Sequence, residues 1–329
     1  MLLRPSSLMF AGTLIIGTLV SISSTSWYLS WMGLELNTLS FIPLIWSKQN
    51  SLSSETALKY FLVQAFGSAV LITGVVITPL STPLTHNLMM VALILKMGAA
   101  PLHFWLPNIM QGLSWYQCIT LMTVQKIAPL ALTSYVLLPE NKWVVMSTSI
   151  MSALFGGIGG LNQTLLRKIM AYSSINHISW MLASMFMGTG ILISYFVMYS
   201  VISSTLALLF SENQLFHLKQ LPTLSSSPMN MVAMFVSLFS LGGLPPFLGF
   251  IPKMSVALKM ATLNLIPWLF VLIMSSLITL FFYTRVATMS LTLYSPKVKT
   301  NRKTHFKSAH ILLINMVPVL APMLLVLYF

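Results

Sequence analysis

Residues 95–101 read Leu-Lys-Met-Gly-Ala-Ala-Pro and lie inside an apolar segment of the chain. Pro101 has no N–H group to donate to the carbonyl four residues earlier, so a helix through this stretch is loosened just after Lys96. A second interruption is predicted at residues 241–246, which read Leu-Gly-Gly-Leu-Pro-Pro and are followed by Lys253. The sequence thus contains two broken apolar segments, each with a lysine nearby.

The composition around these segments is that of a membrane protein. Of the 329 residues, 57% are hydrophobic and only 6% are charged, whereas an ordinary soluble domain carries about 25% charged residues. So few charges cannot cover a water-facing surface, which excludes soluble enzyme folds. A lipid-embedded backbone must satisfy its own hydrogen bonds, so the spans are predicted to be helices. We predict eleven of them, at residues 5–23, 26–46, 57–79, 86–104, 114–138, 143–161, 165–187, 189–210, 229–251, 264–288 and 309–328.

The two broken segments occupy matching places in the order of the spans. Each is the fourth in a block of five, and because five is odd the second block is inverted relative to the first, as in inverted-repeat transporters. We therefore predict an all-α polytopic membrane protein with a single antiporter-like domain over residues 1–329. Repeat one covers about 5–138, repeat two about 143–288, and an extra C-terminal helix about 309–328. Glycine and proline are common in membrane helices, so a chance match stays open as an alternative.

The basic residues are distributed unevenly between the two predicted sides of the membrane. The chain has 17 Lys and Arg but only 4 acids. The side that holds the N-terminus carries ten of the basic residues, namely Arg4, Lys48, Arg167, Lys168, Lys219, Lys297, Lys299, Arg302, Lys303 and Lys307. The other side carries Lys142, with Lys253 and Lys259 at or within the membrane. The N-terminus and the loop at 289–308 are therefore expected on the side of synthesis, and nucleic acid is not an expected partner.

Three charged residues lie in the middle of predicted spans: Glu35, Lys96 and Lys126. Each such charge costs about 2.5–3.5 kcal/mol on insertion scales. We predict that Glu35 pairs with Lys96, directly or through one water, because neither tolerates isolation. A lysine held away from water can lose and regain a proton near neutral pH, so these groups and Lys253 suit a proton relay. The alternative is a static ion pair that only fixes helix packing.

His177 lies in a polar patch of the seventh span, and histidine titrates near neutrality. It can link Lys126 to Lys253, although a lone histidine is more often a packing residue. We predict a hydrated polar axis through Lys96, Lys126, His177 and Lys253 at the membrane midplane. Its other polar groups are Gln125, Tyr172, Ser173, Ser174 and Asn176.

The residues contain no pattern for a bound cofactor. The lone Cys118 excludes a disulfide framework, a cysteine-held iron–sulfur cluster and a cysteine-based zinc site. No HExxH, Walker A or nucleophile-elbow pattern is present. The glycines at 156–160 are interpreted as a helix-packing pattern, not a dinucleotide loop.

Four motifs in order along the chain strongly resemble the antiporter-like subunits of mitochondrial NADH:ubiquinone oxidoreductase, respiratory complex I. They are residues 31–37 (Trp-Met-Gly-Leu-Glu-Leu-Asn), 96–107 (Lys-Met-Gly-Ala-Ala-Pro-Leu-His-Phe-Trp-Leu-Pro), 166–177 (Leu-Arg-Lys-Ile-Met-Ala-Tyr-Ser-Ser-Ile-Asn-His) and 242–250 (Gly-Gly-Leu-Pro-Pro-Phe-Leu-Gly-Phe). The resemblance runs over essentially the whole chain. It implies a proton-pumping subunit of the membrane arm, whose relay maps to Glu35, Lys96, Lys126 and Lys253.

The resemblance also implies a setting. The subunit would be multi-pass in the mitochondrial inner membrane, with the N-terminus in the matrix and the C-terminus in the intermembrane space. Its partners would be other membrane-arm subunits, including neighbouring antiporter-like ones, and membrane lipids. FMN, iron–sulfur clusters, NADH and ubiquinone would belong to other subunits, so any enzyme activity is that of the complex. A stand-alone cation/proton antiporter subunit and a passive scaffold remain the alternatives.

Overall fold

The computed structural model describes residues 5–46, 51–78, 83–226 and 228–292. This part of the chain is helical, apart from one isolated antiparallel bridge between Leu165 and His217. The predicted span at 309–328 lies outside the described residues, as do most of the loop at 289–308 and several basic residues of the sidedness argument. The last described helix extends to Thr292, so residues 289–292 are helical and not part of a loop.

The chain divides into two compact units, Met1–Ser152 and Ala153–Phe329. The helices of the first unit are α1 (Pro5–Ser23), α2 (Trp27–Ile45), α3 (Ser51–Ile77), α4 (Pro83–Met97), α5 (Trp105–Gly112), α6 (Trp115–Met122) and α7 (Val124–Val136). Helix α8 (Lys142–Gly160) begins in the first unit and ends in the second. The helices of the second unit are α9 (Leu166–Met185), α10 (Thr189–Glu212), α11 (Pro228–Gly242), α12 (Phe250–Thr262) and α13 (Ile266–Thr292).

In the first unit, small residues bring helices close together. A β-carbon on Gly17 would lie 2.9 Å from the Asn37 nitrogen, and one on Gly33 would lie 2.6 Å from the Ser21 nitrogen. Because lipid gives little hydrophobic drive for helix association, such close backbone contact is a main source of packing energy. It fixes α2 against α1. Helix α2 also packs on α3, α3 on α4, and α4 on α7.

Helix α9 is the central element of the second unit and is buried along almost its whole length. It packs against α10, α12 and α13. Its serines, asparagine and histidine would be costly against lipid, so protein has to surround it. The predicted span at 165–187 is thus confirmed as a helix. The glycine pattern of α8 is confirmed as a packing surface: β-carbons on Gly156 and Gly160 would lie within 2.7 Å of neighbouring atoms.

The predicted interruption after Lys96 is confirmed, but its position differs. Helix α4 ends at Met97, and Gly98 has a φ of +75°, a left-handed conformation that glycine adopts without steric cost. The amides of Gly98 and Ala99 both donate to the Ile94 carbonyl, at 3.1 Å each, as in a glycine-ended helix. The span predicted over 86–104 is therefore a helix that stops at the glycine, before the proline is reached.

Another boundary was predicted wrongly. The span at 114–138 was given as one segment, but it breaks at Thr123 between α6 and α7. There the threonine hydroxyl donates to the Ile119 carbonyl at 2.7 Å, a back-bond that bends helices.

The interruption predicted at residues 241–246 is confirmed. Helix α11 stops at Gly242, and Lys253 lies in the first turn of a separate helix, α12. The span predicted over 229–251 is therefore divided between two helices.

The helices have the lengths and composition of a membrane protein. Within the described residues, five are long and apolar enough to cross a membrane: Pro5–Ser23, Ser51–Ile77, Pro139–Gly160, Thr189–Glu212 and Ile266–Ser290. Shorter apolar helices cover Thr85–Met97 and Met229–Gly242, next to the interruptions. The total of eleven spans and the inverted relation of the repeats stay predictions.

Candidate functional site

Lys96 lies at the end of α4 and is only 5% exposed. A cation in the last turn of a helix faces the negative end of the helix dipole. The carbonyls freed by the interruption are also satisfied: the Trp105 indole N–H donates to Leu95 at 3.1 Å, and the Gln64 amide donates to Lys96 at 3.4 Å. Gly67 of α3 leaves room for the lysine stem, because a β-carbon there would lie 3.2 Å from Lys96 Cγ. The structure therefore holds this lysine in a buried site that is shaped by α3 and Trp105.

Glu35 of α2 does not touch Lys96 in the structure. Among the described residues, neither the buried Oε2 of Glu35 nor the Nζ of Lys96 has a hydrogen-bond partner. The direct form of the predicted pair is thus wrong, and a pair bridged by one water stays a prediction. Glu35 is nevertheless close enough to act electrostatically on both Lys96 and the Tyr60 hydroxyl. An ion pair is formed elsewhere, between Lys59 and Glu55 on the exposed side of α3.

Lys126 lies just after the interruption at Thr123, between α6 and α7. It is the third residue of α7, is 2% exposed, and its amide donates to the Thr123 carbonyl at 3.1 Å. An ammonium at this end of a helix meets the positive end of the dipole, the opposite of the arrangement at Lys96. The break at Thr123 therefore gives Lys96 and Lys126 different electrostatic environments within the same unit.

Tyr60 and Gln125 form a partly buried hydrogen bond that the sequence analysis did not predict. The Tyr60 hydroxyl of α3 donates to Gln125 Oε1 at 3.1 Å, one residue before Lys126. Gln125 was noted as a polar group, but Tyr60 was not. A signal was available: Tyr60 and Gln64 are four residues apart, so they lie on one face of an apolar helix and mark it as facing protein.

Lys253 lies in α12, just after the interruption between α11 and α12, and its side chain contacts the end of α11. It is 8% exposed, and its Nζ donates to the Gly242 carbonyl at 2.8 Å. The ammonium also lies 5.8 Å from the centre of the Trp180 ring, within the range of a cation–π interaction. The prediction that this carbonyl loses its helical partner is confirmed, and the lysine takes the partner's place.

His177 is surrounded by tyrosines in the second unit. Its Nδ1 lies 3.0 Å from the Tyr195 hydroxyl, and its ring centre lies 4.9 Å from that of Tyr199. Tyr199 in turn lies against Ser174 and Ser203. These tyrosines extend the predicted polar patch, and their role was missed because tyrosine is read as a packing residue.

Each unit thus gathers part of the predicted relay. Glu35, Lys96 and Lys126 lie in the first unit, whereas His177 and Lys253 lie in the second. Within the second unit, α9 carries both His177 and Trp180, and Trp180 stacks on Lys253. An axis that runs from Lys126 to His177 stays a prediction. Within residues 5–292, less the gaps given above, no cluster of three or more His, Cys, Asp or Glu side chains could hold a metal.

Comparisons with known proteins agree with this geometry. Residues 24–82 and 78–280 match the family described as NADH:quinone oxidoreductase/Mrp antiporter, TM. NADH-ubiquinone oxidoreductase chain 2 of Anopheles gambiae is 46% identical over 86% of this chain and 85% of its own. The same subunit of Lumbricus terrestris is 40% identical over 92% of both chains.

Solved structures share the fold. A chain of respiratory complex I from Thermus thermophilus superposes with a TM-score of 0.87 at 22% identity, covering 98% of this chain and 80% of that one. A chain of the Mrp complex from Dietzia gives 0.77 at 18% identity, covering 90% and 64%. Together with the sequence matches, the three helix interruptions and their lysines show that the chain belongs to the NADH-ubiquinone oxidoreductase chain 2 family of antiporter-like membrane proteins.

Proposed function

We propose that the chain is a proton-translocating subunit in the membrane arm of mitochondrial respiratory complex I. The observation that supports this most directly is the burial of Lys96, Lys126 and Lys253, one at each of the three interruptions within the described helices. A lysine that served only packing would be replaced at lower cost by an apolar residue, since a charge in the membrane interior is expensive. Groups that must take up and release protons have no such replacement.

The local surroundings suggest how each lysine changes state. A buried amine exists as ammonium only when nearby dipoles or charges compensate it. Lys96 has the end of α4 and the field of Glu35, and Lys253 has the Gly242 carbonyl and the Trp180 ring. A proton that leaves one ammonium is accepted by the neutral amine of the next, and His177 is the proposed link from Lys126 to Lys253. The energy would come from NADH-to-ubiquinone electron transfer in other subunits.

The same proposal includes the setting of the chain. The subunit resides in the inner membrane, with its N-terminus in the matrix and its C-terminus in the intermembrane space, as the distribution of basic residues favours. Its partners are neighbouring membrane-arm subunits and lipids. FMN and iron–sulfur clusters are carried by other subunits.

Proton uptake by the intact complex tests the proposal. Complex I that carries Lys126→Met is reconstituted into liposomes, and NADH-driven proton uptake is measured per assembled complex. We expect most of the uptake to be lost, because methionine keeps the volume and removes the proton carrier. Lys59→Met is the matched control, since Lys59 is exposed and paired with Glu55 on the outside of α3. Normal uptake by the Lys126 variant would favour a passive scaffold.

A stand-alone cation/proton antiporter is the second candidate, because the matched family and the Dietzia structure both include Mrp antiporter proteins. Purification separates the two candidates. A subunit of complex I copurifies with the flavin and the NADH-oxidising subunits, whereas an antiporter subunit does not.

A further inference from the structure

Helix α3 carries no residue of the predicted relay, yet one of its faces meets both lysine-bearing interruptions of the first unit. Gln64 donates to the carbonyl of Lys96, and Gly67 leaves room for the stem of that lysine. One turn earlier, Tyr60 donates to Gln125, the neighbour of Lys126. The face is therefore a direct structural link between the end of α4 and the start of α7.

Packing holds the Tyr60 ring in place. The residue is 1% exposed. Its ring packs edge-on against Phe41 at 5.1 Å and against Trp105 at 6.3 Å between ring centres. Edge-to-face contacts of this kind fix the orientation of a ring. The hydroxyl is therefore held in one place.

The bond to Tyr60 also positions the Gln125 amide. The Tyr60 hydroxyl donates to Gln125 Oε1 at 3.1 Å. Within the described part of the chain, Nε2 of Gln125 is buried without a hydrogen-bond partner. The hydrogen bond from the tyrosine therefore sets which way round the amide lies.

We propose that Tyr60 is a positioning residue that orients the Gln125 amide at the start of α7, one residue before Lys126. It thereby links the interruption at Lys126 to the face of α3 that holds Lys96. This inference rests on the proposed function and deepens it. No proton passes through the tyrosine: its hydroxyl holds the amide, and the oriented amide dipole contributes to the electrostatic environment of Lys126.

The test is Tyr60→Phe in the intact, reconstituted complex. Phenylalanine keeps the ring and its contacts with Phe41 and Trp105 but has no hydroxyl. We expect NADH-driven proton uptake per assembled complex to fall about two- to tenfold, the factor that corresponds to the net contribution of a hydrogen bond. Tyr135→Phe is the control, because this tyrosine of α7 is 63% exposed.

Gln125→Leu removes the acceptor of the Tyr60 hydrogen bond. Proton uptake by this variant tests the proposal if the Tyr60→Phe complex does not assemble. Coupled residues give non-additive effects, so the double variant is expected to lose no more uptake than either single variant. The pH profile of uptake should move in the same direction in both singles. A merely structural role would lower the amount and thermal stability of the complex and leave uptake per complex and the pH profile unchanged.

Two outcomes overturn the inference: wild-type uptake per complex in a fully assembled Tyr60→Phe variant, or additive losses in the double variant. Lys126→Met is measured in the same experiment. It distinguishes a wrong role for Tyr60 from a wrong proposed function. If Lys126→Met abolishes uptake while Tyr60→Phe does not change it, only the role of Tyr60 is wrong. If Lys126→Met also has no effect, the proposed function itself fails.

Discussion

Lys253 donates to the carbonyl of Gly242 at 2.8 Å, so the first turn of α12 closes the last turn of α11. The interruption between these helices leaves carbonyls without their usual amide partners. In lipid such groups are costly. The ammonium stabilises the break through a charge-assisted hydrogen bond, whereas the neutral amine still has N–H donors but bonds the carbonyl more weakly. The fold therefore links the charge of Lys253 to the strength of the contact that joins the two helices.

Replacement of Lys253 by methionine tests this link. The variant loses the proposed proton carrier and leaves the Gly242 carbonyl buried without its donor, which costs about 1–3 kcal/mol. We expect proton uptake to be largely lost and the thermal stability of the complex to fall. Lys259→Met is the matched control, since Lys259 is exposed in the last turn of the same helix. Equal effects of the two substitutions would contradict a specific role for Lys253.

Gly243 offers a test of the break itself. Its φ is +76°, and a β-carbon there would lie 2.7 Å from Cδ of Lys253. Gly243→Ala is expected to destabilise the subunit by about 1–2 kcal/mol for the left-handed conformation alone, and to push the lysine from the Gly242 carbonyl. The amount of assembled complex and its melting temperature report the loss. Gly190→Ala is the control: it lies in α10 with nothing within 4 Å of the added carbon, and it should be neutral or slightly stabilising.

Two of the three helix interruptions could be predicted from the sequence, and the one at Thr123 could not. Gly98 and Gly243 could be predicted to end helices, because each is followed within three residues by a proline. Glycine permits the left-handed conformation that ends a helix, and proline cannot continue the helical hydrogen bonds. Thr123 carries no such signal, since threonine is common within membrane helices and its backbone conformation depends on the packing around it. The exact end of α4 was misjudged because the glycine acts before the proline.

The polar partners of the relay residues were harder to predict for a different reason. Tyr60 and Gln125 are 65 positions apart in the chain, and His177 and Tyr195 belong to different helices. A charged residue within a span is conspicuous because its cost is known in advance. A tyrosine is not, because its ring suits an apolar site and only the folded structure shows where its hydroxyl points.

Tyr195→Phe tests the tyrosine cluster. The substitution keeps the ring and removes the hydroxyl 3.0 Å from His177 Nδ1. If that contact orients the histidine for proton transfer, uptake per complex falls, though less than in His177→Phe, which removes the titrating group entirely. Tyr28→Phe, at a tyrosine that is 58% exposed, serves as the control. Wild-type uptake in an assembled Tyr195→Phe complex would show that this contact is not needed, and wild-type uptake in His177→Phe as well would show that the histidine is a packing residue.

The proposed orientation predicts which lysines can be reached from each side. Lys219 is predicted on the N-terminal side. Its segment is tied to the loop before α9, because the Leu218 amide donates to the Thr164 carbonyl at 3.0 Å. Lys142 is predicted on the opposite side. A membrane-impermeant amine reagent applied to mitochondria without their outer membrane should label Lys142 and spare Lys219; inverted vesicles should give the reverse. The opposite pattern would mean that the orientation is wrong.

The interaction between Glu35 and Lys96 can be measured with a double-mutant cycle. They are not hydrogen-bonded, yet Glu35 acts electrostatically on the lysine. Each single substitution, Glu35→Gln or Lys96→Met, leaves the other charge buried and alone, so each should cost stability and proton uptake. The double variant removes both charges together, so its stability loss should be smaller than the sum by about 0.5–3 kcal/mol. Thermal melting of the assembled complex measures the difference. Additive losses would show that the two residues do not interact.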